Sequence, residues 1–542
     1  MTRTVRLRPW QKDALDRFVE APGPDFLAVA TPGAGKTTFA LTAARHQLAA
    51  TSSRLIVVAP TAHLKIQWAE AAARFSLHLD PFWSAADGAL PPDMHGIVTS
   101  YQQVASSANV LARLSRNAFV VLDELHHAGD DRAWGAAIQE AFGGSPRRLA
   151  LSGTPFRSDT RAIPFVSYRG DEAVPDFEYG YGNALADRRV VRPIYFPSTS
   201  GHMEWAAPDG SIHEASFDDP LDAARTGQRL RTALSLEGDW LLTVLRAANA
   251  RLTEVRREQL NAAGLVIAID QEHARGIATL LRMRFGATVR LVTSDDPQAS
   301  AKITDFASSD DAWLVAVRMV SEGVDIPRLR VGVFATTTTT ELFFRQAVGR
   351  LVRWTRGVTN QRAWLFIPDD PRLRSHAARI AEQRRHSLRR RDDDERLERP
   401  DEDEVTREVT DEQLSLFAVI SAVATGAAEA ALDDLDYDDH DDAEDELANE
   451  VELTLAPPPP LPGGGSIGHA ANGAALTRRA EKSQLRDANA DLARELVRRS
   501  GLTHAQVNAE LNRQSGLARI SEATLEQLER RLVAAEKWLV KI

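Results

Sequence analysis

The segment Ala-Thr-Pro-Gly-Ala-Gly-Lys-Thr-Thr at residues 30–38 and the segment Phe-Val-Val-Leu-Asp-Glu-Leu-His at residues 119–126 decide the fold of this chain. In the first, a glycine-rich turn precedes a helical stretch, and the backbone N–H groups of such a turn can surround phosphate groups. In the second, an apolar run leads into an Asp-Glu pair, which can hold a metal ion and polarise water. Together they predict hydrolysis of a nucleoside triphosphate.

The residues of the first segment have separate expected uses. Gly33 and Gly35 permit the backbone conformations and the close approach that a phosphate loop needs. We expect Lys36 to meet the β- and γ-phosphates and the hydroxyl of Thr37 to face Mg²⁺. Thr38 is the last residue of the segment that we assign to nucleotide binding.

The acidic pair has a similar division of roles. Asp123 is expected to bind Mg²⁺, and Glu124 is expected to activate the attacking water. Because ligands of open α/β sheets bind beyond the carboxyl ends of the strands, both should lie beside the phosphate loop. His126 and His127 lack a Cys/His set at zinc-ligand spacing, so we interpret them as a relay to a neighbouring segment.

Short apolar runs alternate with Ala-rich amphipathic stretches from residue 55 to about residue 366. Continuous apolar runs are typical of parallel strands buried on both faces, so this pattern predicts two doubly wound α/β domains. The predicted strands are Leu55–Ala59, Gly96–Thr99, Phe119–Asp123, Arg148–Ser152, Leu265–Asp270, Val289–Thr293, Trp313–Val317, Val331–Ala335 and Ala363–Ile367.

Changes in composition place the predicted boundaries. The first α/β domain spans residues 1–190, a linker with an insertion spans 191–260, and the second α/β domain spans 261–385. A charged, acidic and Pro/Gly-rich linker follows at 386–474, and a small α-helical module completes the chain at 475–542. Four consecutive prolines at residues 457–460 and three glycines at residues 463–465 predict a tether that is first stiff and then flexible.

Residues 6–368 resemble superfamily 2 helicases of the DEAD/DEAH-box type, in particular DNA-repair translocases and restriction-enzyme motor subunits. The resemblance implies two tandem RecA-like domains that use ATP and Mg²⁺. It rests on six segments in order, at residues 7–11, 60–68, 98–102, 151–155, 320–327 and 346–353.

The resemblance also implies roles for single residues. Gln11 would read adenine, and Asp325 would contact the nucleotide from the second domain. Gln346 would position water, while Arg350 and Arg353 would act as arginine fingers, and their spacing places both on one helical face. Residues implied in nucleic-acid contact or in coupling are Thr61, Gln67, Thr99, Ser152, Thr154 and Gly323.

Nucleic acid is therefore the expected partner, gripped mainly at its phosphates. The segments at 60–68, 98–102 and 151–155 look closer to DNA translocases than to DEAD-box RNA helicases, which favours DNA. An RNA helicase, an ATP-gated recruitment module and a motor subunit of a restriction or repair complex remain as alternatives. The C-terminal module, in which residues 502–513 resemble a helix–turn–helix unit, would bind phosphates or protein partners, or pack as a bundle on the motor.

Net charge does not argue against nucleic acid. The eight Asp and three Glu of residues 433–450 equal the net charge of -11, so the rest of the chain is near neutral. This run is expected to stay disordered, either as a solubilising spacer or as a self-inhibitory tail. The absence of Cys, of a recognisable signal peptide and of a membrane span predicts a cytoplasmic protein, with Leu414–Ala431 as a soluble helix.

Overall fold

The computed structural model describes residues 3–51, 53–126, 132–153, 163–170, 172–187, 189–206, 212–293, 296, 298–317, 326–359, 361–398, 450–457, 459–461, 478–517 and 523–541. They form two compact units. The first comprises Met1–Val29, Gly35–Glu178 and Glu446–Ile542, and the second comprises Ala30–Ala34 and Tyr179–Asp445. The predicted helix Leu414–Ala431 and nearly all of the acidic run lie outside the described residues.

The first unit is built on a parallel sheet. Its elements in chain order are β1 (Arg3–Leu7), α1 (Pro9–Glu20), β2 (Asp25–Ala30), α2 (Lys36–Thr51), β3 (Arg54–Ala59), α3 (Ala62–Arg74), β4 (Leu79–Asp80), β5 (Gly96–Ser100), α4 (Tyr101–Leu114), β6 (Ala118–Leu122), α5 (Arg132–Phe142), β7 (Arg147–Ser152), β8 (Ser167–Arg169), β9 (Glu172–Val174) and β10 (Phe177–Tyr179). Within the described residues the sheet order is β10-β2-β7-β6-β3-β5-β4. The pairs from β2 to β4 along this order are parallel.

The second unit repeats this design. Its elements are α6 (Tyr181–Ala186), β11 (Ile194–Tyr195), β12 (Ser198–Thr199), β13 (His202–Ala206), β14 (Ile212–Ser216), α7 (Ala223–Ala233), α8 (Asp239–Glu258), β15 (Ala263–Ala268), α9 (Gln271–Phe285), β16 (Val289–Val292), α10 (Ala299–Ser308), β17 (Trp313–Val317), β18 (Leu329–Ala335), α11 (Glu341–Leu351), β19 (Ala363–Pro368) and α12 (Pro371–Glu398). The strands pair in parallel in the order β11-β19-β18-β15-β17-β16.

Burial explains why these runs are strands. Every residue of β6, β15, β18 and β19 is buried, as expected for strands covered on both faces. Each predicted strand is present, with ends that differ by at most two residues. The α/β fold with two doubly wound parallel sheets is thus confirmed.

The region predicted as a polar linker contains regular structure. The strands β13 and β14 pair as antiparallel neighbours, and helix α7 follows them; Trp205, Phe217 and Leu230 are buried in the core of the second unit. Helix α8 (Asp239–Glu258) follows. Helix α12 continues to Glu398, beyond the predicted end of the second domain at residue 385.

The C-terminal part of the chain packs within the first unit. It consists of β20 (Val451–Leu455) and the helices α13 (Arg478–Ser500), α14 (His504–Ser515) and α15 (Leu525–Lys541). Strand β20, which the sequence analysis missed, pairs antiparallel with β1. The helices share a small core and supply the expected helical module.

The proline-rich stretch, predicted to be the stiff part of a tether, packs against the first unit in its described part. Arg45 donates a hydrogen bond to the carbonyl of Ala456, and the Nε2 of His95 lies 2.9 Å from the carbonyl of Pro459. Leu461 is buried as well. Proline has a carbonyl that accepts hydrogen bonds and an apolar ring, and its φ angle is fixed. A run of prolines can therefore pack on a protein surface as well as form an extended linker.

A buried ion pair fastens the helices to the same unit. The ammonium of Lys482 on α13 lies 2.9 Å from the carboxylate of Asp93, and both side chains are under 10% exposed. The N–H of Leu525 donates to the same carboxylate. These contacts match the alternative in which the module packs as a bundle on the first α/β domain. No helix of the described residues is long and apolar enough to cross a membrane.

Candidate nucleotide-hydrolysis site

The glycine-rich segment forms the loop between β2 and α2. Strand β2 ends at Ala30 and helix α2 begins at Lys36. Gly33 and Gly35 have φ angles of +87° and +94°, a region that side-chain-bearing residues rarely adopt. The loop therefore opens onto a helix N-terminus, where backbone N–H groups and the helix dipole favour an anion. Thr37 and Thr38 lie in the first turn of α2.

Gln11 lies against this loop. Its Nε2 donates to the carbonyl of Gly35 over 2.9 Å, and its Oε1 accepts from the N–H of Arg8 over 2.9 Å. A Cβ atom added at Gly35 would lie 2.6 Å from the Gln11 amide, so glycine is required there for space as well as for conformation. Both hydrogen-bonding ends of the Gln11 side chain thus fix it between α1 and the loop.

The acidic pair meets the loop from the end of β6. The Glu124 carboxylate lies 3.2 Å from the Lys36 ammonium and accepts a hydrogen bond from the Gly153 N–H over 2.9 Å. Glu124 has a φ of +48°, a left-handed conformation that is uncommon for residues other than glycine. Such strain is frequent at functional sites, and here it accompanies a carboxylate turned toward Lys36 and Gly153.

Asp123 is held on three sides. Its N–H donates to the carbonyl of Val58, its carbonyl accepts from the hydroxyl of Tyr101 over 2.8 Å, and its Oδ2 accepts from the indole Nε1 of Trp68 over 2.7 Å. Burial, and then the adjacent negative charge of Glu124, raise the pKa of Asp123 to about 6.

Mg²⁺ fits this environment. It is commonly held by one or two carboxylates together with substrate phosphates, and it would favour the charged form of a carboxylate whose pKa is raised. Asp123 is a donor of this kind, and the Thr37 hydroxyl is the second candidate ligand.

The pKa of Glu124 is shifted in the opposite direction to that of Asp123. Burial alone would raise the pKa of its carboxyl group, but Lys36, His126 and the Gly153 N–H together lower it to about 2. His126 lies 3.5 Å from Glu124 and 3.2 Å from the hydroxyl of Ser152. His126 thus stands between the acidic pair and the end of β7, the arrangement that a relay would need.

The residues implied in nucleic-acid contact differ in exposure: Thr61 and Gln67 are partly exposed, and Thr99 is buried. Thr61 caps α3 by accepting from the Leu64 N–H, and Gln67 lies 3.0 Å from His63, one turn earlier on the same helix. Thr99 is fully buried and donates to Gln103, so in this structure its side chain supports the neighbouring helix from inside the domain.

The arginine segment needs a correction. Helix α11 ends at Leu351, so Arg350 and Arg353 do not share one helical face. Arg353 instead lies in an isolated bridge with Val191, and the N–H of Arg192 donates to the carbonyl of Val352. These contacts draw the chain out of the helix after Leu351. Gln346 and Arg350 remain on α11.

Arg353 lies beside part of the phosphate loop that belongs to the same compact unit, Ala30–Ala34. A Cβ atom added at Gly33 would lie 2.9 Å from Cδ of Arg353 and 3.3 Å from its Nη1. One added at Gly349 would lie 2.5 Å from Cγ of Pro32. Two glycines therefore allow the arginine segment to approach the loop this closely.

Four expected site residues lie outside the described residues, namely His127, Thr154, Gly323 and Asp325. Two contacts of the site were not anticipated from the sequence. Trp68 stood in a recognised segment, and Tyr101 in another, but no pattern in the sequence indicated that both hydrogen bond to Asp123.

The chain is similar in sequence to several known proteins. Residues 4–157, which contain the loop and the acidic pair, match the family described as "Type III restriction enzyme, res subunit". A DNA 3'-5' translocase, XPB2, of Sulfurisphaera tokodaii is 23% identical over 367 residues, covering 64% of this chain and 79% of that protein. Residues 4–157 of the chain are thus similar to a family of restriction-enzyme subunits, and a longer stretch is similar to a DNA translocase.

Further relatives match a similar share of this chain. An uncharacterized protein of Mycobacterium tuberculosis strain H37Rv is 47% identical over 392 residues. The match covers 71% of this chain and 65% of the mycobacterial protein, so the chain spans about two thirds of its length. Among solved structures, a fragment of a putative HsdR subunit of a type I restriction enzyme from Vibrio vulnificus YJ016 has a TM-score of 0.47 at 16% identity, covering 68% of this chain and 65% of that one.

Proposed function

We propose that this chain is an ATP-dependent nucleic-acid translocase or helicase that acts on DNA. The observation that carries the proposal is the 3.2 Å approach of Lys36, at the start of α2, to Glu124, just beyond β6. It brings a phosphate-binding loop and an acidic pair to the carboxyl edge of one parallel sheet, where α/β folds bind nucleotides.

Each residue then has a defined task in hydrolysis. The loop N–H groups and Lys36 bind the phosphates, and Gln11 recognises the adenine edge. Mg²⁺, held by Asp123 and Thr37, would neutralise charge on the β- and γ-phosphates. Glu124 orients water and accepts its proton, while Arg350 and Arg353 stabilise negative charge that develops in the transition state.

The choice of DNA rests on relatives rather than on contacts. The Sulfurisphaera protein is named a DNA translocase, and the matching family is one of restriction-enzyme subunits. Helix α3, which carries Gln67 and is capped by Thr61, would bind the sugar-phosphate backbone, and such contacts are sequence-tolerant and sensitive to salt. Ser152 and His126 would couple nucleic-acid binding to Glu124, since His126 lies within 3.5 Å of both Ser152 and Glu124.

The test measures the ATPase rate of the purified chain with single-stranded DNA, duplex DNA or RNA of equal nucleotide concentration. We expect at least one DNA form to raise the rate well above both the basal rate and the RNA-stimulated rate. The Glu124→Gln variant serves as the blank for contaminating ATPases. Stimulation by RNA alone would favour an RNA helicase, and equal rates with and without any nucleic acid would refute the motor function.

A further inference from the structure

Trp68 links helix α3 to the proposed metal carboxylate. It is the seventh residue of α3, its side chain is 3% exposed, and its Nε1 donates to Oδ2 of Asp123 over 2.7 Å. The two residues are 55 positions apart in the sequence, so the fold brings them together. The indole N–H is a donor with a single direction, and it therefore fixes the orientation of the carboxylate as well as its position.

The rest of Asp123 is already anchored by its backbone. Val58 and Tyr101 hold its N–H and its carbonyl, so rotation of the side chain is the freedom that Trp68 restricts. Hydrogen-bond donors to a metal-binding carboxylate matter, because a bond to one carboxylate oxygen orients the other oxygen toward the metal.

Helix α3, which carries Trp68, also bears residues that we expect to contact nucleic acid. Gln67, the preceding residue, and Thr61, the cap of the helix, are the residues that we expect to meet nucleic acid. A helix moves as a unit, so a shift of α3 on binding nucleic acid displaces the indole and turns the Asp123 carboxylate.

We propose that Trp68 is a positioning residue that orients the Asp123 carboxylate toward Mg²⁺ and transmits the state of the nucleic-acid-binding helix α3 to it. The inference rests on the proposed function for the identity of the ligands. It goes beyond that function by assigning a role to an indole that does not itself meet ATP or nucleic acid.

A binding measurement tests this without relying on turnover. A fluorescent, non-hydrolysable ATP analogue is titrated with Mg²⁺ in the presence and absence of single-stranded DNA, and the Mg²⁺ midpoint of analogue binding is recorded. Trp68→Phe removes the indole N–H and keeps an aromatic ring. Trp83→Phe is the matched control, since Trp83 is equally buried in the same domain and donates to the carbonyl of Ala89.

We expect Trp68→Phe to raise the Mg²⁺ midpoint about tenfold and to abolish any effect of DNA on it, whereas Trp83→Phe leaves both as in the wild type. Thermal unfolding in EDTA reports the purely structural loss, which should be similar for the two variants. Equal midpoints in the wild type and Trp68→Phe, or equal shifts in both variants, would overturn the inference.

The same titration separates this inference from the proposed function. If Trp68→Phe raises the Mg²⁺ midpoint but nucleic acid does not stimulate ATP hydrolysis by the wild type, the motor function is refuted and the positioning role of Trp68 is supported. If nucleic acid stimulates hydrolysis by the wild type but Trp68→Phe has the wild-type Mg²⁺ midpoint, the motor function is supported and the positioning role is refuted. Nucleotide binding that is insensitive to Mg²⁺ in the wild type would contradict both.

Discussion

The ammonium of Lys36 lies 3.2 Å from the carboxylate of Glu124, so the residue proposed to bind phosphates is paired with the residue proposed to activate water. Among the groups that lower the pKa of Glu124 against the effect of burial, Lys36 has the largest effect. When Lys36 turns to a phosphate, the carboxylate loses part of that stabilisation and becomes a stronger base. Phosphate binding would thereby prepare Glu124 for proton transfer.

Replacing either member of this pair should have a different effect. Glu124→Gln keeps an acceptor for the Gly153 N–H but cannot take a proton, so kcat should fall by about 10²–10⁴ while binding of an ATP analogue persists. Lys36→Ala should lose analogue binding. Steady-state kinetics and fluorescence titration distinguish these outcomes. A Glu124→Gln variant that retains a substantial part of the wild-type kcat would argue against its role as the base.

Arg353 is expected to act in the transition state. Arg353→Ala should lower kcat by about 10³ or more with little change in analogue binding, because an arginine finger stabilises charge that appears during phosphoryl transfer. Arg356→Ala, three residues along and exposed, should leave kcat unchanged. The measurement is the ATPase rate at saturating DNA. A similar loss of activity in both variants would show that the effect of Arg353→Ala is not specific.

Asp123 should reduce stability when no metal is bound. Its folded-state pKa of about 6 exceeds the ordinary value of 3.8, so folding disfavours the charged carboxylate. The resulting loss of stability develops as pH rises from 3.8 to about 6 and is fully present above that pH. In EDTA, Asp123→Asn should therefore raise the melting temperature at pH 8, and by less at pH 5. Asp13→Asn, an exposed control, should show no such dependence. Unchanged melting at pH 8 would contradict the raised pKa.

The buried Lys482–Asp93 pair should hold the C-terminal helices in place. Lys482→Met leaves Asp93 buried without its cation, and breaking such a pair costs about 3–5 kcal/mol. We expect faster amide hydrogen exchange in the β1–β20 ladder and in α13. Lys537→Met, at an exposed position of α15, is the control and should exchange as the wild type does. Slow exchange in the Lys482 variant would mean that other contacts suffice.

The sheets could be predicted because burial on both faces forces continuous apolar runs. Strands such as Trp313–Val317 follow directly from that rule, and the phosphate loop and acidic pair follow from their spacing. The β1–β20 pairing could not be predicted, since it joins segments more than 440 residues apart and β20, Val-Glu-Leu-Thr-Leu, has only five residues. Nothing local marks which distant strand it pairs with.

The arginine segment shows a second limit. Arg-x-x-Arg fits one helical face, but a backbone bridge to Val191 takes Arg353 out of the helix. The hydrogen bond from Trp68 to Asp123 is of the same kind, because it depends on how α3 packs on the sheet relative to Asp123, the residue that follows β6. Sequence periodicity describes a single element, and these contacts depend on the packing of two.

The central claim is that ATP hydrolysis at Glu124 drives movement along DNA. The most direct measurement is displacement of a fluorescent triplex-forming strand from a duplex, since a translocating protein removes it without having to separate the duplex. We predict ATP-dependent displacement by the wild-type chain, sensitive to added salt and lost in Glu124→Gln. Vigorous DNA-stimulated ATP hydrolysis with no displacement would contradict the claim.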